Sequence, residues 1–374
     1  MRQSNTMVPM VTRRQIILGS GAVASWLAGS VACTSSVGEQ EAARALRRPL
    51  AAHIGDPVLR MRELVRYATL APSSHNTQCW HFHLQDRALA ITPDLSRRCT
   101  VVDPDDHHLY VSLGCATENL AHAALAAGLQ PDIQFDPAGL GTLHARFTPT
   151  RPSETPLFHA ITQRQCTRGL YDGKPLANME LRLLQQAGTG ERVQVLLLTE
   201  RPAMEQVLDF VIAGNTAQME SAAFMAELKA WIRFSAAEAE STGDGLFAGA
   251  SGNPALPRWL GSRAMDLFLT AHSENDRYAQ QIRSSAGLAV FVSERSDPAH
   301  WIEAGRCYER FALQATALGL RNAMVNQPVE VAALRPQLSA ALGLGPQRPD
   351  LVVRFGRGPG LPQSMRRPVE AVLV

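Results

Sequence analysis

One short loop of this 374-residue chain concentrates uncharged side chains that form hydrogen bonds. It offers two hydroxyls and two amides within six residues, from Ser73, Ser74, Asn76 and Gln78. Pro72 ends helices, so backbone N–H groups that follow it are free to bind a ligand. Such groups suit a planar ligand with many ring donors and acceptors, such as a flavin. The alternative is that these residues are only turn formers at the end of a helix.

A second segment carries positive charge. Arg164 and Arg168 are four residues apart, so their side chains lie on one face of a helix or frame one turn. Arginine binds phosphate through two parallel hydrogen bonds, and a phosphomonoester carries nearly two negative charges. The pair therefore predicts a phosphate site. The alternative is that both arginines are solvated surface residues.

Helices and strands must position both features. Apolar spacing over residues 58–70 predicts a helix before the loop, and residues 80–84 predict a short strand after it. The arginine segment precedes a predicted helix over residues 176–187 and a strand over residues 193–198. Three prolines between residues 149 and 156 indicate a crossover linker between two halves of similar content.

The two halves contain related helices. Residues 111–129 align with residues 302–320 at an offset of 191, with seven identities in nineteen positions. Both segments end in Gly-Leu, a helix C-terminal stop. The alternative is a chance likeness between two alanine-rich helices. The identical pairs include Gly114 with Gly305 and Glu118 with Glu309.

Both chemical segments resemble those of the FMN-dependent nitroreductase family. The loop is similar to the family's Ala-Pro-Ser-Ser-x-Asn-x-Gln-Pro-Trp motif, with Cys79 in place of the usual proline. The arginine segment resembles the family's Arg-Arg-Ser-x-Arg start, with Gln165 and Cys166 in place of arginine and serine. The likeness extends to the long, fused, Acg-like members, and it implies an α+β nitroreductase-like fold that binds FMN.

The resemblance implies contacts to FMN residue by residue. The loop would contact the ring or the ribityl chain, while the arginine segment and the C-terminal tail would hold the phosphate. No protein acid or base is required, because the flavin carries the reaction. The histidines supply no predicted set of three or four metal ligands. The predicted contacts are Pro72, Ser73, Ser74, Asn76, Gln78, Arg164, Gln165, Cys166, Arg168, Asn326, and Arg366 or Arg367, with Arg357 behind them.

Each half keeps a piece of the site that the other lacks. The first half has the loop but no arginine segment, whereas the second runs from its helix through Gly188 and Gly190 straight into a strand. In the family that the chain resembles, proteins are dimers and these two pieces come from opposite subunits. The chain is therefore expected to be a dimer fused into one monomeric polypeptide, with one composite FMN site.

The N-terminus predicts export. Residues 12–18 carry a twin-arginine pattern, and the apolar stretch up to residue 32 is too short and too weak for a membrane span. The signal is expected to cover residues 1–33, with lipidation of Cys33 as an alternative to cleavage, and a short amphipathic helix as the other interpretation. The twin-arginine route carries folded proteins, which agrees with a cofactor loaded in the cytoplasm. It predicts a periplasmic or outer-face location.

The remaining boundaries follow from composition. Residues 34–57 are polar and arginine-rich, which predicts a tether before halves at 58–150 and 151–374. Residues 214–285 have no counterpart in the first half, and the resemblance implies that this helical insertion is a lid. Without its first 32 residues, which hold three arginines and no acid, the chain's net charge falls from +2 to −1. This charge gives no argument for binding nucleic acid or an anionic membrane.

Two functions fit these features. The first is an exported oxidoreductase that reduces nitroaromatics, quinones or similar acceptors at flavin N5, with NAD(P)H as a candidate reductant. The second is a protein that sequesters FMN with little or no turnover, because NAD(P)H is scarce outside the cytoplasm and a lid restricts access. A lipoprotein without a cofactor is a third interpretation.

Overall fold

The first half of the chain is an α+β unit. The computed structural model describes residue 41 and residues 43–51, 54–85 and 87–374. Asp56 begins the first helix, because its carboxylate accepts from the N–H of Val58 at 2.8 Å. The elements of this half are α1 (Pro57–Thr69), β1 (Trp80–Gln85), β2 (Ala88–Pro93), α2 (His107–Ala126), β3 (Leu129–Asp136) and β4 (Thr142–Pro149).

The second half repeats this order and adds helices. A second long helix again lies between the second and third strands of its sheet. The elements are α3 (Pro156–Ile161), α4 (Asn178–Gly188), β5 (Val193–Leu198), α5 (Arg201–Glu220), α6 (Ala222–Trp231), α7 (Ala236–Thr242), α8 (Arg258–Phe268), α9 (Ala271–Arg283), β6 (Gly287–Ser293), α10 (Pro298–Ala317), β7 (Arg321–Met324), α11 (Gln327–Glu330), α12 (Arg335–Ala341) and β8 (Pro349–Gly356).

The two four-stranded sheets have the same topology. Their strand orders are β1-β2-β4-β3 and β5-β6-β8-β7, and neighbouring strands in both are antiparallel. Single parallel bridges join Phe82 to Leu373 and Cys166 to Asn322, which gives each sheet the mixed character predicted from the sequence. Corresponding strands occupy corresponding places, so the predicted duplication into two related α+β halves is confirmed.

The long helices α2 and α10 cross at two glycines. A Cβ atom on Gly114 would lie 2.0 Å from the carbonyl oxygen of Ile302, and one on Gly305 would lie 2.0 Å from that of Val111. Glycine is therefore required on both sides of the contact. The crossing packs both helices into one apolar core, as expected for two subunits fused into one chain.

The two sheets differ in how they are covered. Buried and more exposed residues alternate along β3, so one face of the first sheet is open to solvent. Every residue of β6 and β8 is buried, because α10 packs on one face of the second sheet while α5 and α9 pack on the other. The sequence shows the same contrast, since β3 alternates polar with apolar residues and β6 is almost continuously apolar.

The insertion between β5 and β6 is longer than the sequence predicted. It spans residues 199–286 rather than 214–285, whereas residues 86 and 87 alone join β1 to β2. Its earlier start was missed because α5 begins as part of the core, where Val207 and Val211 are fully buried against the second sheet. The segment after α7 instead reaches the loop that follows α1.

The segment predicted to be a tether is packed where the structure describes it. Ala43 is 2% exposed and Arg47 is 8% exposed, and Ala43 joins a small apolar cluster with Phe247 and Met365. The prediction of a tether was wrong for these residues, because arginine side chains have long apolar stems that can be buried although the residue is charged. The predicted signal and Cys33 lie outside the described residues. Within the described ranges, no helix is long and apolar enough to cross a membrane.

Candidate functional site

The loop after α1 has an unusual backbone conformation. His75, Asn76 and Gln78 have φ angles of 47°, 54° and 54°, in the left-handed region that residues other than glycine rarely adopt. Ser73 supports the loop, because its Oγ accepts from the N–H of Gln78 and its carbonyl accepts from that of Asn76, both at 2.9 Å. Such strained residues are found preferentially at functional sites.

The insertion and the C-terminal tail cover this loop. Asn76 donates from Nδ2 to the carbonyl of Gly245 at 3.0 Å. Gln78 is fully buried; its Nε2 donates to the carbonyl of Gly243 and its Oε1 accepts from the N–H of Arg367, both at 2.8 Å. The two amides predicted as ligand contacts therefore fasten the loop to its cover.

The loop of the first half meets the arginine segment of the second. Arg164 is 2% exposed and donates from Nη2 to the carbonyl of Leu70 at 2.9 Å. Arg366, from the tail, donates to the same carbonyl at 3.1 Å and to that of Thr69 at 2.8 Å. Two guanidinium groups thus converge on the C-terminal end of α1, just before the loop. The structure brings together the two pieces that the sequence assigned to one site.

Arg164 also faces a buried carboxylate. Its Nε lies 3.1 Å from Oε1 of Glu309, and both side chains are almost entirely buried. The contact is not aligned as a hydrogen bond, so Nε and Nη1 of Arg164 and both Glu309 oxygens lack hydrogen-bond partners in the described part of the chain. Burial raises the pKa of Glu309 to about 7, against the opposing charge of Arg164. Unused buried donors are expected where a charged ligand group or ordered water binds.

The two residues between the arginines hold neighbouring segments. Gln165 donates from Nε2 to the carbonyl of Leu361 at 3.0 Å and accepts from the N–H of Leu361 at 2.9 Å. It therefore anchors the tail that carries Arg366. The Sγ of Cys166 lies 3.8 Å from the hydroxyl of Tyr308, a residue whose pKa is raised by burial.

Arg168 keeps an uncommitted side chain. It is partly exposed, and among the described residues its guanidinium has no hydrogen-bond or ion-pair partner. Burial, and then the charges of Arg168 and His108, lower the pKa of His75 to about 4, so that His75 is neutral at pH 7. The hydroxyl of Ser74 makes no hydrogen bond within the described ranges either. Arg168 and Ser74 are thus the predicted residues that remain free to meet a ligand.

Three further predicted residues are committed to contacts within the fold. The Oδ1 of Asn326 accepts from the N–H of Val352 at 2.9 Å, so this amide ties the segment after β7 to the interior strand β8. The side chain of Arg367 donates within the tail, to the carbonyl four residues further on, at 2.5 Å. Arg357 pairs with Glu180 at 2.5 Å.

Two residues beside the arginines were not predicted as contacts. Arg47 donates to the carbonyls of Ala43 at 3.0 Å and Ser364 at 2.9 Å. Its segment carries no signal for this placement, because several adjacent arginines suggest an exposed stretch. Glu309 does carry a signal. A glutamate inside a helix of small and apolar residues must be buried with a partner, since an unpaired buried charge is costly.

A cluster of two histidines and an aspartate lies at the start of α2. The side chains of Asp103, His107 and His108 offer ligand atoms within 4.8 Å of one another. Asp103 is engaged, since its oxygens accept the N–H groups of His108 and Leu109 and so cap α2. His107 contacts Asp350 at 3.0 Å through one ring nitrogen and Arg348 at 3.1 Å through the other. These contacts account for Asp103 and His107, whereas the Nε2 of His108 is buried and has no hydrogen-bond partner among the described residues.

A cavity of about 920 Å³ adjoins the arginines. Arg47 and Gln165 line it, so it borders both the N-terminal segment and the arginine segment. Its remaining wall consists of polar side chains and the tail: Glu41, Ala43, Arg44, Ala45, Arg48, Pro49, Thr162, Gly360, Leu361, Pro362 and Gln363.

Comparison with curated proteins identifies relatives over most of the chain. A Mycobacterium tuberculosis protein provisionally named NAD(P)H nitroreductase Rv3131 is 23% identical over 328 residues, which cover 84% of this chain and 90% of the relative. Another from the same organism, provisionally named NAD(P)H nitroreductase acg, is 23% identical over 326 residues, covering 83% and 94%. The predicted resemblance to nitroreductases of the Acg-like group is thereby confirmed. No family model matches the chain.

Solved structures give weaker likenesses. An FMN-bound nitroreductase from Bacteroides fragilis has a TM-score of 0.34 and 16% identity, covering 55% of this chain and 90% of its own. An FMN-bound nitroreductase from Desulfitobacterium hafniense has a TM-score of 0.37 and 14% identity, covering 57% and 96%. These TM-scores are low, and the fold is defined by the topology of the two sheets of this chain.

Proposed function

We propose that this protein is an exported FMN-dependent oxidoreductase of nitroreductase type, which reduces nitroaromatics, quinones or similar acceptors. The observation that carries the proposal is the convergence of Arg164 and Arg366 on the carbonyl of Leu70, where the strained loop begins. Of these two buried cations, Arg164 pairs with one carboxylate, Glu309, and its Nε and Nη1 have no hydrogen-bond partner among the described residues, which fits a phosphate. The relatives named as NAD(P)H nitroreductases support the same conclusion.

Residues of both halves would hold the cofactor. Arg164 and Arg366 would bind the phosphate, while Arg168 and Ser74 would bind the ribityl chain or the ring. When bound, FMN supplies hydride transfer at N5. His75 is neutral at pH 7 because its pKa is about 4, so it would add no charge to the loop. The insertion, which is fastened to the loop through Gln78, would exclude water as a lid.

Anaerobic reduction tests this function. NADPH added to the purified yellow protein is expected to bleach the flavin band rapidly, and a nitroaromatic or a quinone is expected to restore it. The same experiment is repeated with NADH to define the reductant. A purified protein that contains no flavin, and takes up none when refolded with FMN, would contradict the proposal.

A second candidate function is FMN sequestration with little turnover. The insertion that covers the loop favours this function. Gln78 is fully buried, and its side-chain amide already donates to the carbonyl of Gly243 in the insertion. In this case NADPH leaves the oxidised spectrum unchanged, and only dithionite reduces the flavin. Rapid bleaching by NADPH would exclude this function.

The proposed export rests on the twin-arginine pattern formed by Arg13 and Arg14. Replacing both with lysine should retain the full-length protein in the cytoplasm with FMN bound. Cell fractionation and flavin absorbance measure the two effects. An unchanged periplasmic or outer-face fraction would contradict the twin-arginine route.

A further inference from the structure

Arg47 brings a third cation to the end of α1. Its Nη1 donates to the carbonyl of Ala43 at 3.0 Å, and its Nη2 donates to that of Ser364 at 2.9 Å. Ser364 lies two residues before Arg366, so one stretch of the tail holds both arginines. The Nε of Arg47 is buried and has no hydrogen-bond partner in the part of the chain that the structure describes. A buried N–H of this kind is costly unless something accepts from it.

The three guanidinium groups influence one another. Burial, and then the charge of Arg164, lower the pKa of Arg47 to about 10. Burial, and then the charges of Arg47 and Arg164, lower the pKa of Arg366 well below its ordinary value. Hydrogen bonds place the three together, since Arg164 and Arg366 share the carbonyl of Leu70 and Arg47 donates to Ser364, two residues before Arg366. The three residues therefore form one buried cationic group.

Among the described residues, one carboxylate forms an ion pair with this group, and Glu41, which lines the cavity beside Arg47, forms none. Glu309 contacts Arg164 at 3.1 Å. Glu63, on α1, is already paired with Arg48 and with Arg66. The last carbonyls of α1 orient the guanidiniums, and the negative end of the helix dipole attracts them, but partial charges do not cancel whole ones. In the part of the chain that the structure describes, three cations thus have one carboxylate partner, and the group needs an anion.

We propose that Arg47 is a third residue that binds the phosphate of FMN, and that residues 43–51 form a strap over this end of the site. The inference rests on the proposed function and extends it to a segment outside both halves. The cavity of about 920 Å³ lined by Arg47 and Gln165 provides space beside the strap. Ala43 holds the strap in place, because it packs into the apolar cluster with Phe247 and Met365.

The test compares FMN with riboflavin, which lacks the phosphate. Flavin-free full-length protein is titrated with each, and quenching of flavin fluorescence gives the dissociation constants. Arg47→Gln should weaken FMN binding by about 10- to 100-fold, as expected for a charge-assisted hydrogen bond. Riboflavin binding should change by less than about twofold, since its contacts are not touched. Arg47→Lys should restore part of the FMN affinity.

A matched control is available outside the cavity. Arg151 is exposed and does not line the cavity, so Arg151→Gln removes the same charge without touching the buried group and should leave both affinities unchanged. Inorganic phosphate provides a second measurement that needs no flavin. It should raise the Tm of the wild-type protein, and raise that of Arg47→Gln less.

The outcomes separate this inference from the proposed function. If Arg47→Gln lowers FMN and riboflavin affinity equally, or if Arg151→Gln has the same effect, Arg47 does not recognise phosphate. If the wild-type protein binds the two flavins equally well, the cationic group is not a phosphate site, although flavin binding stands. If it binds neither flavin, the proposed function itself is wrong.

Discussion

Two glutamates at equivalent places on the crossing helices have opposite surroundings. Glu118, on α2, lies 3.0 Å from Arg306 and 3.1 Å from Arg310, and the side chains of these arginines are 29% and 21% exposed. Burial alone would raise its pKa, but the contact with His122 and the charges of Arg310 and Arg306 lower it to about 2. Glu118 therefore remains ionised within a partly hydrated ion-pair network.

Glu309, on α10, forms an ion pair with one arginine among the described residues, and that arginine is buried, unlike the partly exposed arginines beside Glu118. It contacts Arg164, which is itself 2% exposed, and burial raises its pKa to about 7. The alignment pairs Glu309 with Glu118, so the same residue type in the same helix position has been given two electrostatic environments. The difference is produced by the segments that pack on the two helices.

Those segments show why the two ends differ. In the second half, α4 turns directly into β5, and a Cβ on Gly190 would lie 2.5 Å from Glu303 Oε1 and from Cys307 Sγ of α10. The ion pairs of Glu118 and the close approach of this turn to α10 leave little space beside Glu118. At the Glu309 end, the loop and the arginine segment leave unused N–H groups. One end of the duplicated fold is therefore filled, and the other retains the features of a binding site.

Removing the arginine at each end should give the largest contrast. At pH 8, where Glu309 is ionised, Arg164→Met should lower the free energy of unfolding by about 3–5 kcal/mol, because it leaves a buried charge unpaired. Arg306→Met should cost less than about 1 kcal/mol, because Arg310 remains and the site is hydrated. Urea unfolding measures both values. Equal losses would show that the two ends are not different.

The crossing glycines should behave alike, since here the two halves are equivalent. Gly114→Ala and Gly305→Ala each place a Cβ against a backbone carbonyl and should each cost about 2–3 kcal/mol in the free energy of unfolding. Gly169→Ala is the matched control, because the nearest atom to its Cβ would be 4.0 Å away. A small cost at either crossing glycine would argue against the close reciprocal contact.

The two glutamates should also give opposite pH dependences. The pKa of Glu309 rises on folding from its usual 4.5 to about 7, so its contribution to stability is present below pH 4.5 and is lost as the pH rises through 7. The pKa of Glu118 falls to about 2, so its contribution is present above pH 4.5 and is lost as the pH falls towards 2.

Glutamine substitutions separate these two contributions. Wild-type stability relative to Glu309→Gln should fall between pH 4.5 and pH 7, by up to about 1.4 kcal/mol per pH unit, and should level off above pH 7. Relative to Glu118→Gln, the wild-type advantage should instead be greatest near neutral pH and disappear on acidification. Urea unfolding from pH 3 to pH 9 provides the comparison. A parallel pH dependence for the two variants would contradict the assigned environments.

The smallest effect is expected at the cover of the retained site. Gln78→Ala removes a buried hydrogen bond to Gly243 and should cost about 1–2 kcal/mol of stability. It should also speed the release of bound flavin, because the insertion is no longer fastened to the loop. Stopped-flow dilution with a flavin trap measures the release. An unchanged release rate would show that the insertion does not control access.

The sequence predicted the duplication, the loop and the arginine segment, because each depends on local spacing. The repeated glycine and glutamate at an offset of 191 predicted two related helices, and the structure places Gly114 and Gly305 where these helices, α2 and α10, cross. The missing loop between α4 and β5 was likewise visible as a short run of glycines.

Other features depend on packing that spacing does not encode. Arg47 is buried because distant carbonyls in the tail accept from it, and nothing in its own segment indicates this. Asn76 and Gln78 were predicted to face a ligand, yet they donate to carbonyls of an insertion about 170 residues further along the chain. The start of that insertion was missed because the first turns of α5 belong to the core.

The stoichiometry of FMN binding tests the central claim, that one end of the duplicated fold binds the cofactor and the other is filled. Protein concentration from amino-acid analysis and released FMN should give a ratio near one per chain. The ratio should fall sharply in Arg164→Gln and stay near one in Arg306→Gln. A ratio near two, or an equal fall in both variants, would contradict the account.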